Sequence, residues 1–246
     1  MLDLAEAERV RDEFESTEVQ VRRDHAISHA LAALQKIESE KVFFGGTALS
    51  RTLLSRGRLS EDIDLYSSDR RSLCRELDNL PDLIEEEFPQ ANWDVLPSLT
   101  PDPRSSLLVC EASIHIRVQV VDALSRKWQS IPTNLVDIHQ RYSDVSKTQL
   151  IVPTFDGFVA MKILAWFDRG APRDLFDLDG LSRIGAVSSA THDLVEKLRG
   201  YRLTKQMLSR KVSGLWQEEL AHQTKLERSE NECLARVLEW WGKSES

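Results

Sequence analysis

Cysteine is scarce in this chain, three in 246 residues. Cys74, Cys110 and Cys233 lie far apart, form no C-x-x-C or other metal spacing and leave an odd count. A disulfide framework is therefore not expected, and a reducing compartment is. Long apolar runs are missing as well. None approaches the roughly 20 residues of a membrane span, and the acidic N-terminus does not read as a signal peptide. A cytoplasmic protein with no membrane partner is the simplest expectation. Positive charge is in deficit, with 32 Lys and Arg against 40 Asp and Glu and a net charge of −8. That argues against a protein that coats nucleic acid nonspecifically, but a local basic groove remains open to it. There is no internal repeat and no low-complexity segment.

What is present fits an ordinary globular chain, 41% hydrophobic and 29% charged, long enough for one large domain or two small ones. Residues 3–38 read as two helices broken near Ser16-Thr17, with Thr17 placed to cap the second. A short buried strand follows at 41–44, then helical spacing over 47–56 and a strand at 62–66. A helix over 70–88 and strands at 92–96, 106–113 and 114–122 complete the first part, with turn material at 100–106. From about 154 the pattern is helical to the end, broken near Pro172, Gly185, Gly200 and Gly214. The expected architecture is α+β, a mixed sheet with flanking helices over 1–150 followed by a helical part over 151–246.

The informative stretch is "FFGGTALSRTLLSRGRLSEDIDL". An apolar strand runs into Gly45 and Gly46, whose lack of side chains lets backbone approach a phosphate closely. Thr47 adds a hydroxyl where a helix N-terminus offers free N–H groups. In the strand that follows, Asp62 and Asp64 share one face, roughly 7 Å apart along the chain at 3.3 Å per residue. Two carboxylates so close repel unless a cation lies between them. Mg2+ takes hard oxygen ligands and is commonly held by one or two carboxylates plus substrate phosphates. In order and at this spacing, the parts describe a site for a nucleoside triphosphate with Mg2+ or Mn2+. Alone, the glycines would be a turn and the aspartates solvated edge residues.

The second part adds Lys162, set among Phe158, Val159, Ala165 and Trp166 at helical spacing. A lysine on such a face either snorkels to water or meets an anion. Pro172 suits the first turn of the next helix, and Asp174 and Asp177 then lie one turn apart. Read without further context, these acids are first-turn residues salt-bridged to Arg173.

"GGTALSRTLLSRGRLSEDIDL" resembles the GG[ST]…RxSxDIDL signature of the AbiEii/AbiGii toxin family of nucleotidyltransferases, which includes the MenT toxins and belongs to the DNA polymerase β-like superfamily. "AMKILAWFDRGAPRDLFDL" is similar to the family's KxxA and RDxxDL motifs, and "LWQEELAHQ" and "VLEWW" to its tail. The resemblance spans roughly 25–241. It implies an enzyme that moves a nucleoside monophosphate from a triphosphate to an acceptor hydroxyl. It further implies a toxin–antitoxin role, with tRNA as acceptor and a separately encoded antitoxin as partner. It assigns Asp62 and Asp64 to the metal and Gly45, Gly46, Thr47, Arg58 and Ser60 to the nucleotide, with Lys162, Asp174 and Asp177 as further site members. A weakly catalytic binding module and an enzyme acting on a protein hydroxyl are the alternatives.

The chain departs from the superfamily at one point. The third carboxylate's slot, Val118-Gln119-Val120, holds a glutamine, and strand parity puts Asp122 on the opposite face unless a bulge intervenes. Asp177 or Asp122 is then left as general base, or the acceptor is only positioned and the metal activates it. Arg51, Arg56, Arg58, Arg117, Arg169 and Arg173 are expected to line one cleft for RNA. His25 and His29 stand four residues apart on a helix, but no third ligand accompanies them in sequence, so a zinc site is set aside. Trp240 and Trp241 read as packing.

Overall fold

Strand β2 (Asp62–Ser67) sits second in a five-stranded sheet of order β1-β2-β5-β4-β3, formed with β1 (Val42–Phe44), β3 (Asn92–Trp93), β4 (Ser106–Glu111) and β5 (Ile114–Asp122). The structure is a computed structural model and describes residues 2–100 and 106–243. β2 pairs antiparallel with β1 and parallel with β5, so the sheet is mixed. The α+β architecture is as the sequence indicates, and the turn expected over 100–106 falls largely outside the described residues.

The apolar face of the sheet carries Ile63, Leu65, Ile116, Val118 and Val120, all at most 3% exposed. Helix α2 (Glu18–Leu34) packs against it through Ala26, Ile27, Ala30, Leu31 and Leu34. The same continuous core takes in Phe158, Ile163 and Trp166 of α6 (Phe155–Arg169) and Leu175, Leu178 and Leu181 of α7 (Pro172–Ile184). It also reaches Cys233, Val237 and Trp241 of the last helix (Glu230–Gly242). Trp240 and Trp241 donate their indole N–H groups to the carbonyls of Gly185 and Leu203. They are packing residues, as expected.

Local chemistry explains the helix limits. Thr17 caps α2 by accepting from the Gln20 amide at 3.3 Å, after the first helix (Leu4–Phe14) ends on Glu15 in the left-handed region. Thr154 caps α6 at its start, and Gly170, at φ +64°, closes it. Three elements are shorter than their sequence patterns. The helix opened by Gly45 stops at Ser50, because Arg51 leaves helical angles at φ −105° and ψ 0°. The 70–88 helix divides into Arg70–Leu77 and Leu80–Leu83, where Pro81 starts a new first turn. The strand expected over 92–96 is only two residues long. A hairpin absent from the sequence reading, β6 (Thr133–Asp137) with β7 (Gln149–Pro153), packs beside β1. β6 is almost wholly exposed, so it shows no alternation to read.

Arg51 turns inward rather than toward a cleft. Fully buried, it donates to Asp24 Oδ1 at 2.8 Å and to the Asp24 and His139 carbonyls. Arg141, from the hairpin loop, reaches the same carboxylate at 3.3 Å and donates to the Ser50 carbonyl at 2.9 Å. Tyr142 donates to Asp24 Oδ2 at 3.0 Å. Burial draws the Arg51 pKa down to about 10. This cluster ties α2, the end of the short glycine helix and the hairpin loop into one unit.

Removing Asp24 leaves two buried guanidinium groups without a counter-charge. Asp24→Ala is expected to lose about 3–5 kcal/mol of unfolding free energy in urea titration. Asp12→Ala, which breaks the exposed Arg11–Asp12 pair, should stay within about 0.5 kcal/mol.

Candidate active site

The opposite face of the sheet gathers the chemistry. Phe44, Asp64 and Gln119 lie abreast on β1, β2 and β5, and Asp62 lies beside Arg117. Ile63 and Leu65 must face the core, so alternation turns both aspartates to this face, where they are half-buried. Gly45 follows directly from Phe44, at φ +82° in the left-handed region. A Cβ there would overlap the Asp64 carboxylate, and one on Gly46 would overlap the Arg58 guanidinium and stand 2.9 Å from Ser60 Oγ. The glycine pair is thus required by two charged side chains pressed against it. Thr47 is buried and donates its hydroxyl to the Asp62 carbonyl, binding the helix start to β2.

The second group of acids comes from α7. Asp177 accepts from Arg58 Nε and Nη2, each at 3.0 Å, and lies 2.6 Å from Lys162 Nζ. Asp174 sits 3.3 Å from Lys162 Nζ and accepts from Arg169 Nε at 2.6 Å and Nη2 at 2.8 Å. Lys162 therefore meets an anion, and in this structure the anions are protein carboxylates. Burial alone would raise both acids, but Lys162 with Arg58 at Asp177, and Lys162 with Arg169 at Asp174, hold them below the usual carboxylate range. An acid so held is a poor proton acceptor.

The β2 acids are arranged differently. Among the described residues neither Asp62 nor Asp64 has an ion-pair or hydrogen-bond partner for its carboxylate. Burial, then the neighbouring Asp62 charge, push Asp64 up to about 6, against the pull of Lys162, Arg169 and Arg173. Two adjacent hard-oxygen donors with no protein cation on them could hold a divalent metal ion. Arg173 also has no partner among the described residues.

Gln119 occupies the third-carboxylate slot beside Asp64, as the register requires. Asp122 stays on the other face and accepts from the Leu124 amide at 2.9 Å. The only irregularity in β5 pairing lies between Val109 and Glu111 on β4, so no bulge brings Asp122 round among the described residues. It is not the base. Of the six arginines expected in one cleft, Arg58, Arg117, Arg169 and Arg173 gather near the aspartates. Arg51 is buried with Asp24, and Arg56 is exposed with Glu13 as its neighbour. Arg51 departs because its helix ends one residue earlier and aims it at α2.

Gln223 was not singled out from the sequence. It is buried, accepts from Arg58 Nη1 at 2.7 Å, and its carbonyl accepts from the Leu59 amide at 2.8 Å. Its neighbour Thr224 donates to the Gly57 carbonyl. The available signal was its position, last in the "LWQEELAHQ" segment.

The raised Asp64 carries a sign that can be tested. Its folded pKa lies above the unfolded value of 3.8. The folded state thus binds its proton more tightly, and stability from this group is full below pH 4 and lost as pH rises through 6. In cation-free buffer Asp64→Asn should raise unfolding free energy by about 1–2 kcal/mol at pH 8, after solvent screening. The gain should vanish near pH 4. A gain that is equal at both values would overturn this account.

Comparison with known proteins identifies the family. Residues 29–238 match the family described as nucleotidyl transferase AbiEii toxin, type IV TA system. Among solved structures, MenT4, a nucleotidyltransferase toxin from Mycobacterium tuberculosis, superposes with a TM-score of 0.72 at 19% identity, over 98% of this chain and 89% of that one. An antigenic nucleotidyltransferase-like protein from Paracoccidioides brasiliensis overlaps more loosely, with a TM-score of 0.44 at 15% identity, over 78% of this chain and 94% of that one. A search of the curated proteins finds no match. No helix among the described residues is long and apolar enough to cross a membrane. Family membership implies a nucleoside triphosphate substrate and an antitoxin partner. With its two unpaired aspartates beside a glycine turn and a family match over most of its length, this chain belongs to the AbiEii nucleotidyltransferase toxins of type IV toxin–antitoxin systems.

Proposed function

We propose that the protein transfers a nucleoside monophosphate from a nucleoside triphosphate to an acceptor hydroxyl on RNA, with tRNA the acceptor the family resemblance favours. The observation that carries the reading is the division of labour among the acids. Asp174 and Asp177 are neutralised by Lys162, Arg58 and Arg169, while Asp62 and Asp64 are left together without a protein cation. Asp62 and Asp64 would hold Mg2+ or Mn2+, which when bound screens the triphosphate and activates the attacking hydroxyl.

The protein's own part is positioning and charge. The Gly45-Gly46 backbone, packed on Asp64 and Arg58, would take the triphosphate close to the aspartates, with Ser60 at its edge. Asp177 orients Arg58 and Lys162, and Asp174 orients Lys162 and Arg169, so the cations are fixed before substrate arrives. That is the preorganised electrostatics phosphoryl transfer requires. Neither Asp122 nor the charge-saturated Asp177 is suited to act as base, which favours the version in which the hydroxyl is only positioned. Arg117 and Arg173 lie beside the aspartates and supply the local basic patch an otherwise acidic chain needs for RNA. A cytoplasmic setting and silencing by the cognate antitoxin complete the reading.

The test is transfer of label. Each α-labelled nucleoside triphosphate is incubated with protein, Mg2+ and either total RNA or a protein extract. Label in the RNA fraction, concentrated in tRNA and abolished by chelator, is the expected result. Label in protein instead selects the protein-hydroxyl alternative, and triphosphate binding without any product selects the binding module. Asp62→Asn and Asp64→Asn should each lower the rate by at least about 100-fold while the fold persists, since each removes a metal ligand. Either variant at wild-type rate would unseat the metal assignment.

A further inference from the structure

A second constellation lies apart from the aspartate pair. His25, His29, Glu87 and Asp144 each offer a ligand atom, and the four atoms lie within 4.8 Å of one another. The histidines stand one turn apart on α2, Glu87 follows the Leu80–Leu83 helix, and Asp144 sits on the loop of the β6–β7 hairpin. The nitrogens and carboxylate oxygen nearest one another form a triangle. His25 Nε2 to His29 Nε2 is 3.2 Å, His25 Nε2 to Asp144 Oδ2 is 3.0 Å, and His29 Nε2 to Asp144 Oδ2 is 3.6 Å. Tetrahedral Zn2+ with Zn–N of 2.0–2.1 Å and Zn–O of 2.0–2.2 Å demands ligand separations of about 3.3–3.5 Å. The observed edges straddle that value.

Hydrogen bonding alone suits this triangle poorly. Two imidazole nitrogens and a carboxylate oxygen converge on one point, and a neutral ring brings at most one proton to its Nε2. One N–H must then serve two acceptors, two lone pairs must face each other, or both N–H groups must crowd onto the one carboxylate and leave the two nitrogens 3.2 Å apart with no bond between them. A cation at the centre satisfies all three. We propose that His25, His29, Glu87 and Asp144 form a structural Zn2+ site. With four protein ligands it has no open position, which distinguishes it from a catalytic zinc centre. The ion would clamp α2 to the 84–88 turn and to the hairpin loop. The His25 ring already packs on Tyr142 at 4.9 Å and Phe88 at 5.9 Å. Tyr142 in turn donates to Asp24, so the clamp would adjoin the buried cluster that positions the glycine helix.

This proposal is independent of nucleotidyl transfer, and its test keeps the two apart. Full-length protein is stripped with chelator, dialysed against buffered Zn2+ and assayed by elemental analysis and thermal unfolding. One Zn2+ per chain is expected, with Tm raised by roughly 5–10 °C at about 100-fold excess over Kd. Co2+ in its place should give the intense visible bands of four-coordinate geometry. His29→Gln and Asp144→Asn, both at less buried positions than His25, should weaken Zn2+ by well over roughly 100-fold, beyond the about 10–100-fold that loss of an outer partner typically costs. The Asp62→Asn/Asp64→Asn double variant should bind Zn2+ as wild type does. Sub-stoichiometric uptake by the wild type, or uptake lost in the double aspartate variant but kept in His29→Gln, would overturn the site.

Discussion

Arg58 and Asp177 are 119 residues apart in sequence and share a bidentate contact at 3.0 Å on both arms, each side chain at most 4% exposed. A charge pair this dry holds only if each remaining donor is also answered. Gln223 takes Arg58 Nη1, and Lys162 takes the second approach to Asp177. Four segments of chain therefore meet at one guanidinium. The loop before β2, α6, α7 and the C-terminal segment are joined by it, and Gly46 must be glycine because this guanidinium leaves no room for a Cβ. The charge on Asp177 is stable in the dry interior because of Arg58, and the reverse is equally true.

The remaining electrostatics follow from that neutralisation. Once the α7 acids are matched, the field at Asp62 and Asp64 is set by the pair itself and by cations held a little further off. Asp64 is consequently strained upward to about 6, a local instability of the kind that binding sites carry and that packing elsewhere must offset. The unbroken core beneath, from Ala26 through to Trp241, supplies the offset. It is this rigidity that allows two like charges to be kept side by side without the strand giving way.

Alternation in "DIDLY" was enough to place Asp62 and Asp64 on one face opposite Ile63 and Leu65, because a strand with one buried face has no freedom of register. Thr17, Thr154 and Gly170 marked helix ends through chemistry confined to a single turn. The glycines, DxD, lysine and RDxxDL were legible as motifs for the same reason, since each is a local arrangement, and the fold brings them together. That Gln119 lies beside Asp64 and Asp122 on the other face was legible too, as both are facts about one strand.

Partnership was not legible. That Lys162 meets Asp177 and Asp174, that Arg51 abandons the cleft for Asp24, and that Gln223 pins Arg58 all depend on which surfaces close over one another. Burial makes the choice, because a charge taken from water must find a partner wherever the fold brings one. The same holds for His25 and His29, whose companions at 87 and 144 arrive from other elements. Sequence by itself determined the faces of β2 and β5, the capped helix ends and the family, but not the β6–β7 hairpin; tertiary structure alone decided which charges pair with one another, because pairing between separate elements has no local signal.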